Sequence, residues 1–297
     1  MSNDPVDLKF LVSSPARLVL TNVSGSVVIQ PVEEDVIHVF AVKRLESGDA
    51  EQTTIECTQS EDGTVSVNTK FPDQGINLLR GKQICAVDYV VKVPTQTDID
   101  TKVVSSTTTV SGIEGTISLK TVSGDIQLDS ISGSISAKTV SGDIAGVDLT
   151  GDIQVNSVSG DVSVSGSDLS LVESHSTSGD FILESNIGEG PYQFHTVSGD
   201  VGLKFPQISN CKINLNTLSG SLNANLPVEL VSTNHGKHSV ILGEGSTNIS
   251  MNSVSGDLSI TSSEEIQSKS QADISEIISK IDSGDLTVEQ ALETMNG

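Results

Sequence analysis

Apolar and polar residues alternate in short runs through the middle of the chain, and a Ser-Gly pair interrupts each run. The strongest motif is Val-Ser-Gly-Asp-(Ile/Val), and three consecutive copies place their glycines 18 residues apart, at Gly124, Gly142 and Gly160. Weaker copies at Gly133 and Gly151 divide this period in half. Later copies follow at wider spacing, at Gly179, Gly199, Gly220 and Gly256. A fixed period of about 20 residues indicates a repeat architecture.

Aligning the copies on their glycines places apolar residues two positions before the glycine and two and four positions after it. Polar residues lie between them, and this period of two is typical of a strand with one buried face. We therefore expect all three apolar columns to face an interior, with Val140 buried and Gln127 facing solvent. The column two before the glycine contains Val122, Val140, Val158, Thr177, Val197, Leu218 and Val254.

Strands this short cannot bury an apolar face alone. Stacking each coil on the one before it would pair the backbone groups and close a continuous core. Half a coil is 9 residues, which leaves no room for a helical crossover between parallel strands. The sequence therefore predicts an all-β fold, a parallel β-solenoid with coils of 18–21 residues over 106–262. The general chirality of strand crossovers favours a right-handed course.

Residues 1–105 lack the regular spacing of the later repeats, and they predict a strand-rich part that closes the first end of the solenoid. An early copy of the motif stands at Val23-Ser24-Gly25, and Val36–Lys43 is the most apolar run. We expect longer coils or antiparallel strands here, because an exposed parallel edge invites pairing with another chain.

Residues 263–297 change from an alternating to a helical pattern. A polar linker precedes the run DISEIISKI, and Ser283-Gly284 separates this run from a second predicted helix over 288–295. We expect a small C-terminal α-helical hairpin whose isoleucine face caps the last coil or binds a partner. The isoleucines on that face are Ile274, Ile277, Ile278 and Ile281.

The acidic composition limits the partners of this chain. It has 16 Lys and Arg against 39 Asp and Glu, and the formal net charge of −23 argues against nucleic acid and anionic membranes as direct partners. No apolar run reaches the roughly 18 residues of a transmembrane helix, and the first residues lack the pattern of a secretory signal. We expect a cytoplasmic protein, with surface association left open. Cys57, Cys85 and Cys211 lack metal-ligand spacing and do not predict a disulfide framework.

Two histidine pairs are candidate metal-binding or pH-sensing residues. His235 and His238 stand three apart near a glycine, but two ligands are half a metal site, and solvated loop residues are the simpler interpretation. His175 and His195 occupy the same column, four before the glycine, so we expect them to be stacked neighbours. They could sense pH or hold a metal, or they could belong to a polar row that faces water.

No catalytic or cofactor-binding signature stands out from the repeats. Hydroxyl residues recur three before the glycine, where packing and side-chain hydrogen bonds explain them, and no G-x-S-x-G elbow is present. Each Ser-Gly-Asp lies between strands, so a phosphate-binding loop that opens a helix is not expected. We predict no enzyme activity, no catalytic residue and no cofactor.

Aspartate follows the glycine in successive repeats and forms a candidate column for weak cation binding. A parallel stack would repeat these carboxylates about every 4.8 Å, where like charges repel by about 1 kcal/mol in water. Either each aspartate accepts N–H bonds at its own bend, or the column binds divalent cations, for which oxygen ligands are suited. The column contains Asp125, Asp143, Asp161, Asp180 and Asp200.

The runs TVSGDIQL, ISGSI, TVSGDI and SVSGDV, preceded by DYVVKVP, resemble the bacterial putative-adhesin β-strand repeat family, a domain of unknown function. The resemblance covers roughly residues 15–262, and the tail ISEIISKIDSGDLTVEQALETM resembles the short helical hairpin that accompanies such domains. It implies a β-helix with an adhesin label, and it supplies no catalytic residues.

These observations predict a non-enzymatic β-helix repeat protein that acts as an adhesin-like or scaffold interaction module. We expect a protein partner on a solenoid face or on the hairpin, with self-association left open. The alternative is a carbohydrate-binding or carbohydrate-cleaving β-helix, although that class relies on charged clusters and aromatic platforms. This chain has only 3% aromatic residues.

Overall fold

The computed structural model describes residues 5–45, 50–70, 85–205, 210–225, 229–234 and 236–262. These residues form twenty-two β-strands and no helix. Among these described residues there is therefore no helix that could cross a membrane. The strands are β1 (Val6–Leu11), β2 (Ala16–Val32), β3 (Val36–Lys43), β4 (Thr54–Gln59), β5 (Val65–Lys70), β6 (Val87–Pro94), β7 (Thr97–Ser111), β8 (Glu114–Lys120), β9 (Ile126–Asp129), β10 (Ser132–Thr139), β11 (Ile144–Val147), β12 (Thr150–Ser159), β13 (Val162–Ser178), β14 (Phe181–Ile187), β15 (Tyr192–Ser198), β16 (Val201–Phe205), β17 (Cys211–Asn216), β18 (Leu222–Ala224), β19 (Glu229–Asn234), β20 (Lys237–Leu242), β21 (Thr247–Ser255) and β22 (Leu258–Ser262).

Two ladders of mostly parallel strands run along the molecule, and most coils contribute a strand to each. The first ladder has the order β4, β5, β2, β7, β8, β10, β12, β13, β15, β21, β17, β20, β19. The second has the order β1, β3, β6, β2, β7, β9, β11, β13, β14, β16, β22, β18. The long strands β2, β7 and β13 contribute to both ladders and join them.

The 18-residue period sets the register of the regular coils. Gly133 in β10 pairs with Gly115 in β8 on one side and with Gly151 in β12 on the other. The isoleucines two residues later are stacked in the same way. Since neighbouring strands lie about 4.8 Å apart, each column of the repeat becomes a continuous row of like side chains along the molecule.

The glycine of each full copy of the motif stands at a bend between two strands, here called the corner. The columns two and four positions after this corner glycine fill the interior, as predicted. Ile126, Leu128 and Ile144 are at most 2% exposed, and the intervening Gln127 faces solvent. Burial of apolar surface contributes about 25 cal/mol per Å² and is the main force favouring the folded coils. These two columns therefore hold successive coils together.

The column two before the glycine does not face the interior, and the prediction for Val140 is wrong. Val140 is 45% exposed, whereas Thr139 beside it is buried at 5%. The strand alternation continues from buried Ala137 through exposed Lys138, so the inward position before the corner falls on the hydroxyl residue. The corner then changes the phase of the alternation, and the inward positions resume two residues after the glycine.

The coils are not stacked in chain order at the far end. The last described coil, β21 and β22, lies between the coil of β15 and β16 and the coil of β17 and β18. Strands β19 and β20 extend the first ladder beyond β17 as an antiparallel pair. At the near end, β2 is likewise inserted between β7 and the later strands β5 and β6. The expectation that each coil follows the one before it therefore holds only for the middle of the molecule.

The predicted fold class, a parallel β-solenoid with a C-terminal helical hairpin, is wrong. The described residues form an all-β, solenoid-like sheet without a helix, and antiparallel strands bound both ends of the first ladder. The predicted hairpin over 263–297 lies outside the described residues. The division at 105/106 falls within β7, and the three-part domain assignment stays a prediction.

Candidate functional site

The Ser-Gly corner is closed by the hydroxyl residue three positions before the glycine. In two successive coils, Thr121 Oγ1 accepts a bond from the Gly124 N–H and Thr139 Oγ1 accepts one from the Gly142 N–H, each at 2.9 Å. A hydroxyl that bonds to a nearby backbone group in this way stabilises a turn. The buried threonine therefore satisfies its own hydroxyl and a backbone donor at the same bend.

The corner glycines are required because the coils approach one another closely there. A Cβ added to Gly142 would collide with the carbonyl oxygen of Gly124 in the preceding coil, and Gly160 stands in the same relation to Gly142. Gly256 approaches Gly199, and Gly220 approaches Gly256, so the column follows the spatial order of the coils. Close backbone approach explains the glycine in every full copy of the motif.

The residues two before the corner glycine form an exposed apolar row, here named the valine stripe, which also includes Val104, two before Ser106 at the equivalent position of the preceding coil. Backbone bonds connect its members, for example from the Ser141 N–H to the Val122 carbonyl oxygen and from the Ser159 N–H to the Val140 carbonyl oxygen. Six valines of the stripe are 42–50% exposed, and Leu218 is 85% exposed. In spatial order the stripe is Val104, Val122, Val140, Val158, Thr177, Val197, Val254 and Leu218.

A groove of about 600 Å³ runs beside the valine stripe across five coils. Hydroxyl residues form its floor, since they point inward between two outward-pointing columns. The stripe forms one wall, and the column four before the glycine forms the other. That second wall contains Lys138, Asn156, His175, His195 and Asn252.

His175 and His195 stack in this wall, which confirms the predicted neighbour relation. Their ring centroids are 4.8 Å apart and their planes differ by 9°. His175 Nε2 lies 2.9 Å from Glu173 Oε1, and Gln154 Nε2 donates to the other oxygen of Glu173 at 3.0 Å. The hydrogen bond with His175, followed by the one from Gln154, lowers the pKa of Glu173 below its ordinary value. The pair thus presents a flat, polar-edged surface beside an anionic carboxylate.

Two serine hydroxyls of the groove bond to backbone rather than to histidine. Ser176 Oγ donates to the Ser178 carbonyl oxygen at 3.1 Å, and Ser157 Oγ donates to the Gly160 carbonyl oxygen at 3.4 Å. Ser253 Oγ lies 3.4 Å from Thr217 Oγ1, and the described part of the groove holds no Ser-His pair of the kind that activates a nucleophile.

The aspartates after the glycine form a hydrogen-bonded ladder between coils. Asp161 donates its backbone N–H to Asp143 Oδ1 at 2.9 Å, and Asp180 donates its N–H to Asp161 Oδ1 at 2.9 Å. Asp200 and Asp257 continue the same pattern at 2.8 Å each. The partner is thus the N–H of the next coil, and the expectation of a bond within the same bend is wrong.

Sequence reasoning missed Asp257 as a member of this ladder because the coil order was unknown. Its carboxylate also accepts a bond from the Ser221 N–H at 2.7 Å, so the ladder reaches the last coil in space. Within the described residues no group of three or more His, Cys, Asp or Glu side chains is placed to hold a metal ion. Cation binding by the aspartate column stays a prediction.

The remaining candidates lie away from the groove. His238 is half-buried in β20, and His235 lies outside the described residues. The three cysteines are free thiols. Burial raises the pKa of Cys211 to about 11, which makes it a poor nucleophile at neutral pH.

The valine stripe and the groove were also missed from the sequence. The available signal was the hydroxyl column, because a Thr or Ser that occupies an inward position forces the residue after it outward. The recurrence of that hydroxyl residue in every full repeat could have identified the valines as exposed.

The family model described as Toastrack DUF4097 matches residues 16–261, which is most of the chain. The chain belongs to the Toastrack family. The predicted resemblance to adhesin-labelled repeat proteins is confirmed at this level, whereas the helical hairpin included in it is not. No curated protein matches this sequence.

Solved structures similar to this Toastrack chain include three bacterial proteins. A putative adhesin from Bacteroides fragilis has 11% identity and a TM-score of 0.47, covering 88% of this chain and 98% of that one. A putative cell adhesion protein from Clostridium sporogenes has 13% identity and a TM-score of 0.30, with coverage of 87% and 100%. A putative lipid binding protein from Parabacteroides distasonis has 12% identity and a TM-score of 0.34, with coverage of 87% and 96%. These values support no inference about function.

Proposed function

We propose that this Toastrack protein is a non-catalytic, adhesin-like interaction protein that binds a protein partner along the valine stripe and the adjoining groove. The observation that supports this proposal is the exposure of the stripe. Seven of its eight side chains are valine or leucine, and each of these seven is at least 42% exposed. Contiguous exposed apolar surface marks interaction sites on soluble proteins. Single exposed valines need no explanation, but a row of seven exposed apolar side chains, interrupted only by Thr177, does.

A non-catalytic role is favoured by how the polar groups of the groove are used. The hydroxyls of Ser157 and Ser176 bond to backbone at their corners, and the histidine next to the carboxylate stacks on a second histidine. Catalysis needs a base directed at a reacting group. Asn156 Nδ2 and Thr196 Oγ1 have no hydrogen-bond partner among the described residues, and no described hydroxyl of this groove is paired with a histidine base.

A protein is a better match to this surface than a glycan or a nucleic acid. Sugars bind to aromatic platforms, but no described Phe or Tyr lines the groove, and the exposed Phe40 lies on β3 outside it. Nucleic acid is disfavoured by the net charge of −23. A row of apolar side chains beside hydrogen-bonding groups is the surface that a polypeptide face can cover.

Photo-crosslinking in cells that naturally make the protein tests this proposal. A photoreactive phenylalanine is placed at Val158 in the stripe and, as a control, at Val147, which is equally exposed on β11 outside the stripe. We expect discrete protein adducts from position 158 and none from 147. Equal yields at both positions, or adducts with glycan alone, would contradict a protein-binding stripe.

A further inference from the structure

We propose that the partner on the valine stripe is a second copy of this chain, lying alongside the first with both molecules pointing the same way. The two-fold axis would run parallel to the ladders, so that each coil faces the same coil of the other copy. This inference rests on the proposed function, since it names the occupant of the same surface.

The repeat distance is the first argument for a second copy. The stripe places one side chain on each coil, about 4.8 Å apart. An extended peptide repeats its same-face side chains about every 6.6 Å, and an α-helix has a pitch of about 5.4 Å. Both lose register with the stripe within a few coils. A second copy has the same spacing and stays in register along its whole length.

The shape of this surface is complementary to the same surface on a second copy. The stripe is a ridge, and the groove beside it has a floor of small hydroxyl residues such as Ser157 and Ser253. A two-fold axis placed between ridge and groove lays the ridge of each copy in the groove of the other. Val158 and Val197 border the groove and would be covered in this way.

The charges on the two sides of the stripe are also complementary. Lys120 and Lys138 lie in the column on the groove side, and neither forms an ion pair with any described residue. Asp125 and Asp143 lie in the same two coils on the other side of the stripe, exposed. The parallel two-fold exchanges the sides, so it brings each lysine toward the carboxylate of the same coil in the other copy.

The two histidines of the same column would also face an aspartate of the same coil in the other copy. His175 lies in the coil of Asp180, and His195 lies in the coil of Asp200. The imidazole of His195 can donate a hydrogen bond to that carboxylate in either charge state, whereas His175, whose Nε2 is bonded to Glu173, has a second N–H to donate only when it is protonated. An antiparallel arrangement would instead bring one aspartate ladder against the other, where like charges repel. The pairing of lysine with aspartate therefore favours the parallel arrangement over the antiparallel one.

The size of the contact predicts a weak, reversible dimer. Eight stripe positions span about 34 Å, and two outward columns are about 13 Å wide. The area is then about 440 Å² per copy, roughly half the 800 Å² or so of a standard stable interface. We expect association at micromolar concentrations or above. The free energy gained by burying so small an area exceeds only slightly the free energy lost with translational and rotational freedom on association.

Sedimentation equilibrium of the full chain over about 1–200 µM measures this association directly. We expect a monomer–dimer equilibrium that the triple variant V140T/V158T/V197T weakens at least about tenfold. Each replacement copies Thr177, the threonine already present in the stripe. The control V147T/I182T changes two similarly exposed apolar residues outside the stripe and should leave the equilibrium unchanged. A monomer throughout this range would overturn the proposal.

Single cysteines test the arrangement. In a chain with Cys57→Ser, the variants Val122→Cys and Val254→Cys lie near opposite ends of the stripe. A disulfide needs Cα atoms about 4.4–6.8 Å apart. In the parallel dimer each variant should crosslink to itself under mild oxidation, whereas Val147→Cys should not. Crosslinking only when the two stripe variants are mixed would indicate antiparallel packing and overturn the proposal.

The two proposals can fail separately. A chain that stays monomeric but yields protein adducts at Val158 overturns the self-association and leaves a heterologous partner on the stripe. Resistance of Val158→Cys to a thiol reagent in that monomer would mean that the chain itself covers the stripe, and this result would contradict both proposals.

Discussion

At the scale of single residues, the glycine and the aspartate of the corner are defined by contacts with the adjacent coil, whereas the hydroxyl residue is defined by a bond within its own coil. The glycine allows close backbone approach, the hydroxyl residue before it bonds to its N–H, and the aspartate after it accepts an N–H from the next coil. Asp-to-Asp stacking is tolerated because each carboxylate gains a hydrogen bond from its neighbour. Sequence reasoning recognised the columns from their repetition, but whether a bond lies within a coil or between coils depends on distances that repetition does not encode.

Replacing Gly142 with Ala should destabilise the protein by about 1–3 kcal/mol or more, because the new methyl group meets a backbone carbonyl that cannot move independently. The matched control is Gly202→Ala, where the nearest atom to the new Cβ is Ser259 Oγ at 3.6 Å. That change should be neutral or stabilising by up to about 1 kcal/mol, through the unfolded state. Urea unfolding of both variants measures the difference. Equal losses would show that close approach is not the reason for the corner glycine.

Replacing Asp143 with Ala should cost about 0.5–1.5 kcal/mol, because the Asp161 N–H loses its acceptor at an exposed site. Asp143→Asn keeps an acceptor oxygen and should cost less. Asp152→Ala, an exposed carboxylate on β12 outside the ladder, serves as the control and should change stability by no more than about 0.5 kcal/mol. Thermal unfolding ranks the three variants, and an Asn variant as unstable as the Ala variant would contradict the acceptor role.

The same variants test the predicted cation column. A rise in the melting temperature of the wild type with millimolar calcium, lost in Asp143→Ala, would support cation binding. A wild type that is indifferent to calcium would leave the aspartates as hydrogen-bond acceptors between coils.

At the scale of strands, the sequence predicted the regular part of the fold because period and alternation are local. The spacing of 18 residues fixed the register of β8, β10 and β12, and the columns after the glycine fixed the buried face. The order of coils at the ends could not be predicted, since several copies of one motif are equally good partners for one another. Nor could the outward direction of Val140, which depends on Thr139 being buried through a hydrogen bond.

Hydrogen exchange distinguishes the observed coil order from the order of the chain. Strand β21 pairs on both sides over residues 249–252, with β15 and β17, so the amides in the middle of this strand should be strongly protected. Residues 229–234 of β19 pair only with β20 among the described strands, so they should exchange much faster. If the coils were stacked in chain order, 247–255 would lie at the end and exchange as quickly as 229–234.

At the scale of the whole molecule, the repeat produces three parallel rows that run from coil to coil. The valine stripe provides apolar surface, the groove provides hydroxyl and imidazole groups, and the aspartate ladder provides negative charge. No single residue in these rows carries a recognisable signature, which is why no site of binding could be predicted from the sequence. A long, regular surface of this kind is suited to binding another protein along its length.

Thermal unfolding of the triple variant V140T/V158T/V197T decides whether the valine stripe serves binding and not stability. Because these valines are 45–50% exposed, we expect a melting temperature within about 2 °C of the wild type when measured as a monomer. Ile144→Ala, from the buried column of the same repeat, should lose about 2–5 kcal/mol in the same experiment. A stripe variant that unfolds as readily as Ile144→Ala would show that the stripe is part of the core and would contradict a binding role for it.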